Sequence, residues 1–142
     1  MSAEQVFSLC NPIAVAGWVL LIFAPRRPWA SLVAGRVIPL LLAGVYLFVV
    51  TLNWAGSDGG FGSLPEVSAL FANQWLLLAG WIHYLAFDLF VGSWEVRDAA
   101  ERNISHWLMI PCLVLTFLFG PVGLLTYFAL RSTAKMRRIA GT

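Results

Sequence analysis

Four long apolar runs, separated by short polar segments, constrain the fold of this 142-residue chain more than any other feature. They cover residues 6–24, 37–55, 73–92 and 107–130. Each run approaches the ~20 residues that a helix needs to cross ~30 Å of hydrocarbon. Because lipid offers no partner to backbone polar groups, such segments must be helical unless they close into a barrel. The runs therefore predict an all-α polytopic membrane helix bundle with about four transmembrane helices.

The composition supports a membrane protein and excludes an ordinary soluble domain. Hydrophobic residues make up 60% of the chain and charged residues only 11%, whereas soluble domains have about 25% charged residues. A net charge of +2 is too small to indicate nucleic-acid binding. Cys10 and Cys112 lie in apolar runs, so we expect buried free thiols rather than a disulfide. Residues 1–142 are predicted to form a single integral-membrane domain.

The fourth run contains a break at Gly120-Pro121. Proline removes a backbone donor and clashes with the preceding turn, and glycine lowers the cost of bending. The last helix is therefore predicted to be either kinked or re-entrant at this point. Four crossings would divide the nine Lys and Arg residues five to four between the two sides. A re-entrant hairpin would instead place all nine on one side, and the positive-inside rule does not decide between five and four.

The third run carries His83 and Asp88 at a depth where ionisable side chains are costly and usually functional. No proline follows until the fourth run, so this helix can extend from residues 73–92 to about residue 103. Asp88 and Glu95 are seven residues apart and share a helix face, and Asp98 falls close to the same stripe. His106 opens the fourth run near the same surface. One polar cavity is therefore predicted, surrounded by the candidate catalytic residues His83, Asp88, Glu95, Asp98 and His106.

These side chains are compatible with three roles. A carboxyl group in apolar surroundings can donate a proton while a nearby histidine accepts one, which is acid–base catalysis. In a structural role, Asp88 would pair with an arginine and His83 would bond a backbone carbonyl across helices. Histidine and carboxylate ligands also suit iron, zinc or manganese, although no metal-binding motif is present. The metal alternative would use His83, Asp88, Glu95 and His106.

Aromatic and amide side chains surround the same region. Trp81 and Tyr84 flank His83 and are candidates for contact with a flat hydrophobic molecule, with core packing as the alternative. Trp107 is also typical of the aromatic belt at a membrane interface. Asn53 ends the second run. The candidate substrate-binding set is Trp81, Tyr84, Asn53 and Trp107.

Two segments together resemble the ABA4-like family, which is named for a plant plastid protein required to make neoxanthin. They are WIHYLAFDLFVGSWEVRDA at residues 81–99 and HWLMIPCLVLTFLFGPVGLL at residues 106–125. The resemblance spans residues 53–127, and Asn11-Pro12 in the first run is also similar. It implies a small polytopic membrane protein linked to carotenoids.

The chemistry that the resemblance implies is the conversion of violaxanthin to neoxanthin. An epoxide opens and a proton leaves a neighbouring carbon to give an allene, without net oxidation. Asp88 or Glu95 as acid and His83 as base fit these roles. Isomerisation requires no cofactor, and a bound carotenoid or metal is left open. Because no plastid-type leader precedes the first run, we expect a bacterial member in the inner (cytoplasmic or photosynthetic) membrane, whose substrate is not specified by the resemblance.

Three functions follow as hypotheses. The first is a carotenoid- or isoprenoid-modifying membrane protein with isomerase-type chemistry. The second is a non-enzymatic pigment-binding or structural subunit of a larger membrane complex, such as a photosynthetic or rhodopsin-type assembly. The third is a metal- or haem-binding membrane redox protein. The expected partners are the lipid bilayer, a hydrophobic small molecule such as a carotenoid, and other membrane subunits, with no nucleic acid.

Overall fold

The computed structural model describes the backbone of residues 1–140 and the side chains of residues 1–55 and 57–134, and it contains helices without strands in that part of the chain. The all-α prediction is confirmed. In chain order the elements are α1 (Ala3–Phe23), α2 (Pro28–Leu32), a π-helical turn (Val33–Val37), α3 (Ile38–Asn53), a 3₁₀ turn (Trp54–Gly56), α4 (Leu64–Ala72), α5 (Gln74–Glu101), α6 (His106–Phe119) and α7 (Pro121–Ala140).

Within the described residues, three helices are long and apolar enough to cross a membrane, which supports an integral membrane protein. They are α1, the continuous helical segment Pro28–Asn53 and α5. The 28 residues of α5 correspond to ~42 Å, more than the ~30 Å of hydrocarbon. α5 is therefore long enough to extend beyond the membrane surface. By contrast, α6 has 14 residues and, at ~21 Å, is too short to cross.

The second and third apolar helices are longer than the apolar runs that predicted them. The second begins at Pro28 rather than near residue 37, because Pro28 occupies the first helical position and the π-helical turn carries the chain on into α3. The third continues to Glu101, since no proline or glycine stops it after Gly92. Its first turn is capped by Asn73, whose side-chain oxygen accepts from the backbone N–H of Trp75 at 2.9 Å.

The fourth apolar run folds into a helical hairpin. α6 ends at Phe119, and the next residue, Gly120, has a positive φ of 44° that residues other than glycine rarely adopt. α7 then runs back along α6, so that Gly123 packs against the backbone of Thr116 and Tyr127 is buried beside Met109 and Cys112. Of the two predicted forms, the structure therefore has the re-entrant one.

The hairpin brings the basic residues to one end of the bundle. His106 Nε2 lies 2.9 Å from the carbonyl oxygen of Ile22, which joins the start of α6 to the end of α1. Arg131 of α7 lies 3.4 Å from Asp98, near the end of α5. No Lys or Arg occurs between Arg36 and Arg97 in the sequence. We call this end of the bundle, which carries Arg26, Arg36, Arg97, Arg102 and Arg131, the basic end.

Apolar packing among α1, α3 and α5 forms the main core. Trp18 and Leu42 contribute to it from α1 and α3, and Leu89 from α5. A Cβ atom on Gly17 would contact Leu89, and one on Gly92 would contact Trp18. Small residues thus let these helices approach closely, which is the usual basis of helix association in lipid.

Candidate functional site

The three carboxyl groups of the α5 stripe all face the hairpin. Asp88 lies against Gly120 at the turn, Glu95 contacts Thr116 of α6, and Asp98 contacts Tyr127 of α7. Their spacing of seven and three residues along α5 places them on one side of the helix. Because α6 and α7 run along this side, each carboxyl group meets the hairpin at a different depth.

Glu95 is fully buried and tied to α6. It is 0% exposed, and the Thr116 hydroxyl lies 3.1 Å from each of its two carboxyl oxygens. A buried carboxyl group without any partner would be strongly destabilising. The hydrogen bond from Thr116 therefore offsets part of this cost and joins α5 to the hairpin.

Asp98 is the most heavily partnered of the three carboxyl groups. It accepts hydrogen bonds from the Tyr127 hydroxyl and from Arg102 Nε at 2.7 Å, and Arg131 Nη1 lies 3.4 Å away. The hydrogen bond to Asp98 raises the pKa of Arg102 above its ordinary value. Asp98 thus joins α5 to the returning helix α7 at the basic end.

Asp88 lies at the middle of α5 and differs from the other two. Its Oδ2 is buried and has no hydrogen-bond partner among the described residues. Both of its carboxyl oxygens would lie 3.0 Å from a Cβ atom on Gly120, so the absent side chain of that glycine leaves room for the carboxyl group. The site at Asp88 is therefore shaped by the turn of the hairpin.

Tyr84, one helical turn before Asp88, supports the same turn. Its hydroxyl donates a hydrogen bond of 2.7 Å to the carbonyl oxygen of Phe117. The last carbonyl groups of a helix lack intrahelical partners, and lipid supplies none. Tyr84 therefore stabilises the end of α6 where the chain reverses beside Asp88.

The structure does not bring His83 to this stripe. Its side chain is exposed, stacks on Phe87 with ring centroids 4.5 Å apart and lies 5.7 Å from the ring of Tyr46. A separation of five residues turns a helical side chain by about 140°. Since Asp88 faces the hairpin, His83 points away from it, and the two do not line the shared cavity that the sequence predicts.

His106 lies apart from the stripe as well. It is half-buried and lines a cavity of about 510 Å³ at the basic end, together with Arg26, Asn103 and Ser105. α5 ends at Glu101, near this cavity and 13 positions after Asp88, which corresponds to ~20 Å along the helix. The cavity that His106 lines is therefore far from Asp88. The five predicted catalytic residues are thus divided among three places: the hairpin stripe, the exposed face of α5 and the basic end.

The candidate substrate-binding residues also separate, into three places. Trp81 and Tyr84 have ring centroids 5.3 Å apart, and Trp81 Nε1 donates a 2.8 Å hydrogen bond to Asn11 Oδ1. Asn53 bonds the Val49 carbonyl oxygen of its own helix, and Trp107 is 80% exposed at the basic end. Only the first pair lies close to Asp88.

The structure does not group the residues of the metal alternative. Across the described side chains, no three His, Cys, Asp or Glu residues lie close enough together to hold a metal ion. His83 is separated from Asp88 and Glu95 by the body of α5, and His106 lies near the membrane surface.

Sequence reasoning missed the hairpin residues that complete the site. Thr116, Gly120, Gly123 and Tyr127 all lie in the fourth apolar run. Their shared signal is the break at Gly120: a reversal there places Thr116 opposite Gly123. That pairing follows only once the re-entrant form has been chosen.

These features define a small helical integral-membrane protein with ionisable groups between its helices and a re-entrant hairpin. The chain belongs to the ABA4-like family: the pattern of that family, described as ABA DEFICIENT 4-like, matches residues 5–127. The matched region includes the carboxyl stripe and its hairpin partners up to Tyr127. Family membership and the apolar helices fit a membrane protein related to carotenoid biosynthesis. No curated protein and no solved structure matches the chain significantly.

Proposed function

We propose that this protein modifies a carotenoid or related isoprenoid within the bilayer by acid–base, isomerase-type chemistry, with Asp88 as the group that carries the proton. The observation that supports this role is the unpartnered, buried Oδ2 of Asp88 beside Gly120. Glu95 and Asp98 are occupied by contacts with the hairpin. A carboxyl group at membrane depth without such a contact is a functional candidate by default.

The surroundings of Asp88 suit a long apolar substrate. The paired rings of Trp81 and Tyr84 precede Asp88 on α5, and Trp81 is 40% exposed. Aromatic faces bind flat apolar molecules through large contact areas. A polyene lying along these rings would place an oxygenated end group near the carboxyl group of Asp88.

The proton transfers balance on a single carboxyl group. As the C–O bond of an epoxide breaks, one oxygen of Asp88 donates its proton to the oxygen that leaves. The C–H bond on the neighbouring carbon breaks, its electron pair forms the new C=C bond, and its proton passes to the other oxygen of Asp88. The aspartic acid returns to its starting form, no electron is gained or lost, and no base at His83 is required.

Pigment chromatography with matched variants tests this proposal. Cells that supply an epoxy-carotenoid would produce the wild-type protein, Asp88→Asn, or the control Glu101→Gln, which removes an exposed carboxylate at the end of the same helix. We expect the new pigment with wild type and control, and its loss with Asp88→Asn at equal protein level. Conversion at the wild-type rate by Asp88→Asn would contradict the proposal.

A non-enzymatic pigment-binding subunit is the second candidate. It is favoured by Glu95 and Asp98, since both act as ties between helices rather than as free acids. On this alternative the purified protein would carry a stoichiometric pigment, and Asp88→Asn would leave the pigment composition of the cell unchanged. The same chromatography therefore separates the two functions.

A further inference from the structure

A groove on the outer surface of the bundle, between the π-helical turn and α3 on one side and α5 on the other, has two distinct parts. Its upper part, near the basic end, is a cavity of about 300 Å³ lined by Ser31, Gly35, Arg36 and Arg97. Its lower part is an apolar cavity of about 330 Å³ lined by Leu40, Ala43, Ala86, Phe87 and Phe90. Gly35 and Arg36 line both parts, so the groove is continuous.

The two arginines make the upper part strongly cationic. Arg36 and Arg97 are both exposed, and neither forms an ion pair within the described residues, where Arg102 and Arg131 pair with Asp98. They come from different helical segments and line the same cavity. Two guanidinium groups at such a place are suited to a phosphate, which they can bind through several hydrogen bonds.

The lower part has the dimensions and chemistry of a site for an acyl chain. Ala43 follows Arg36 by seven residues on one wall and Phe90 precedes Arg97 by seven on the other, so the apolar groove extends ~10 Å below the arginines. The small side chain of Ala43 leaves the groove open, and Leu40 and Phe90 form its exposed rims. Charge above and an apolar channel below match one amphiphilic molecule.

We propose that this groove binds one anionic phospholipid, with its phosphate on Arg36 and Arg97 and an acyl chain along Ala43 and Phe90. This lipid is distinct from the carotenoid of the proposed function, because a carotenoid carries no anionic group and Asp88 lies on the hairpin side of α5. The basic residues at this end are also those that face the anionic leaflet under the positive-inside rule.

Native mass spectrometry of the full-length protein in neutral detergent tests the site. Phosphatidylglycerol and phosphatidylcholine with identical acyl chains would be titrated separately, and inorganic phosphate would be added as a competitor. The double variant Arg36→Gln/Arg97→Gln is compared with Arg26→Gln/Arg27→Gln, which removes two charges from the same end but outside the groove. Ala43→Trp fills the apolar part alone. Circular dichroism confirms that each variant is folded, and single arginine variants replace any double variant that is not.

We expect one phosphatidylglycerol per protein and weaker binding of phosphatidylcholine. Loss of both groove arginines should weaken phosphatidylglycerol binding about 30-fold, Ala43→Trp should also weaken it, and the control pair should change it little. Equal weakening by the two arginine pairs, or equal binding of the two lipids, would overturn the proposal. Displacement by millimolar inorganic phosphate without any effect of Ala43→Trp would show a free-anion site instead.

Discussion

The two sides of α5 are built on different principles. Toward α1 and α3, its contacts are mainly apolar and close: Leu89 packs on Gly17, and Gly92 packs against the ring of Trp18. The hydrogen bond from Trp81 to Asn11 is an exception on this side. Toward the hairpin, its contacts are polar and individually placed, as between Glu95 and Thr116 or Tyr84 and the Phe117 carbonyl. The same helix therefore relies mainly on apolar packing on one side and mainly on hydrogen bonds on the other.

The difference follows from what each neighbour needs in lipid. α1 and α3 do not reverse direction within the bundle, and small residues with close packing hold them against α5. The hairpin interrupts the helix inside the bundle and leaves carbonyl groups that α5 must satisfy. The chemically competent residues of α5 therefore lie where the backbone of its neighbour is broken.

Adding a methyl group at the hairpin should have the largest effect. In Gly123→Ala the new Cβ would collide with the backbone of Thr116, so we expect a loss of about 3 kcal/mol in the free energy of unfolding. Gly44→Ala is the control, since no described atom beyond its neighbours in the same helix lies within 4 Å of a Cβ there. Unfolding in mixed micelles measures both, and equal stability of the two variants would contradict the close hairpin.

Removing the hydroxyl of Tyr84 should have the next largest effect. Tyr84→Phe leaves the Phe117 carbonyl without its donor, which should cost about 2 kcal/mol because an unsatisfied buried group bears its full desolvation penalty. Tyr46→Phe on the α3 side serves as the control. The same unfolding assay applies, and an unchanged midpoint for Tyr84→Phe would show that the carbonyl finds another partner.

A smaller effect is expected where the hairpin returns to the basic end. Tyr127→Phe removes a hydrogen bond to Asp98, which keeps Arg102 and Arg131 as partners. We expect a loss of about 1 kcal/mol, again against Tyr46→Phe. A loss as large as that of Gly123→Ala would mean that Tyr127, rather than the close approach of the helices, holds the hairpin.

The smallest effect should come from His83. Its side chain is exposed and stacks on Phe87, so His83→Ala should change the free energy of unfolding by less than about 0.5 kcal/mol and leave the pigment product unchanged. Parallel chromatography with Asp88→Asn provides the contrast. Loss of product with His83→Ala at a normal protein level would place the reacting group on the opposite side of α5.

The sequence predicted the helical class and the polar stripe of α5, because apolar run length and seven-residue spacing are local properties of the chain. Asp88, Glu95 and Asp98 do share a face. It did not predict which helices that face contacts. Thr116 and Tyr127 lie there because α7 reverses direction after Gly120, and the sequence is compatible with both the kinked and the re-entrant form. The separation of about 140° between His83 and Asp88 is compatible with one wide cavity as well as with opposite sides of α5, and the position of the hairpin decides between the two.

The contacts of the glycines could not be predicted from the sequence either. Gly17 packs against a neighbouring helix, but Gly44, in an equivalent position within its run, faces open space. Gly123 packs against the backbone of Thr116, although its place two residues after Pro121 is also typical of a glycine in a loop. Spacing does not distinguish them, because what each glycine contacts is set by the neighbouring helix.

The side of the membrane on which α7 emerges tests the central claim most directly, since the site at Asp88 exists only if the hairpin does. Single cysteines would replace Ser57, Ser105 and Thr133 in a background of Cys10→Ser and Cys112→Ser, and a membrane-impermeant maleimide would label sealed vesicles of known orientation. The hairpin predicts that Ser105→Cys and Thr133→Cys react from the same side and Ser57→Cys from the other. Labelling of Thr133→Cys together with Ser57→Cys would contradict it.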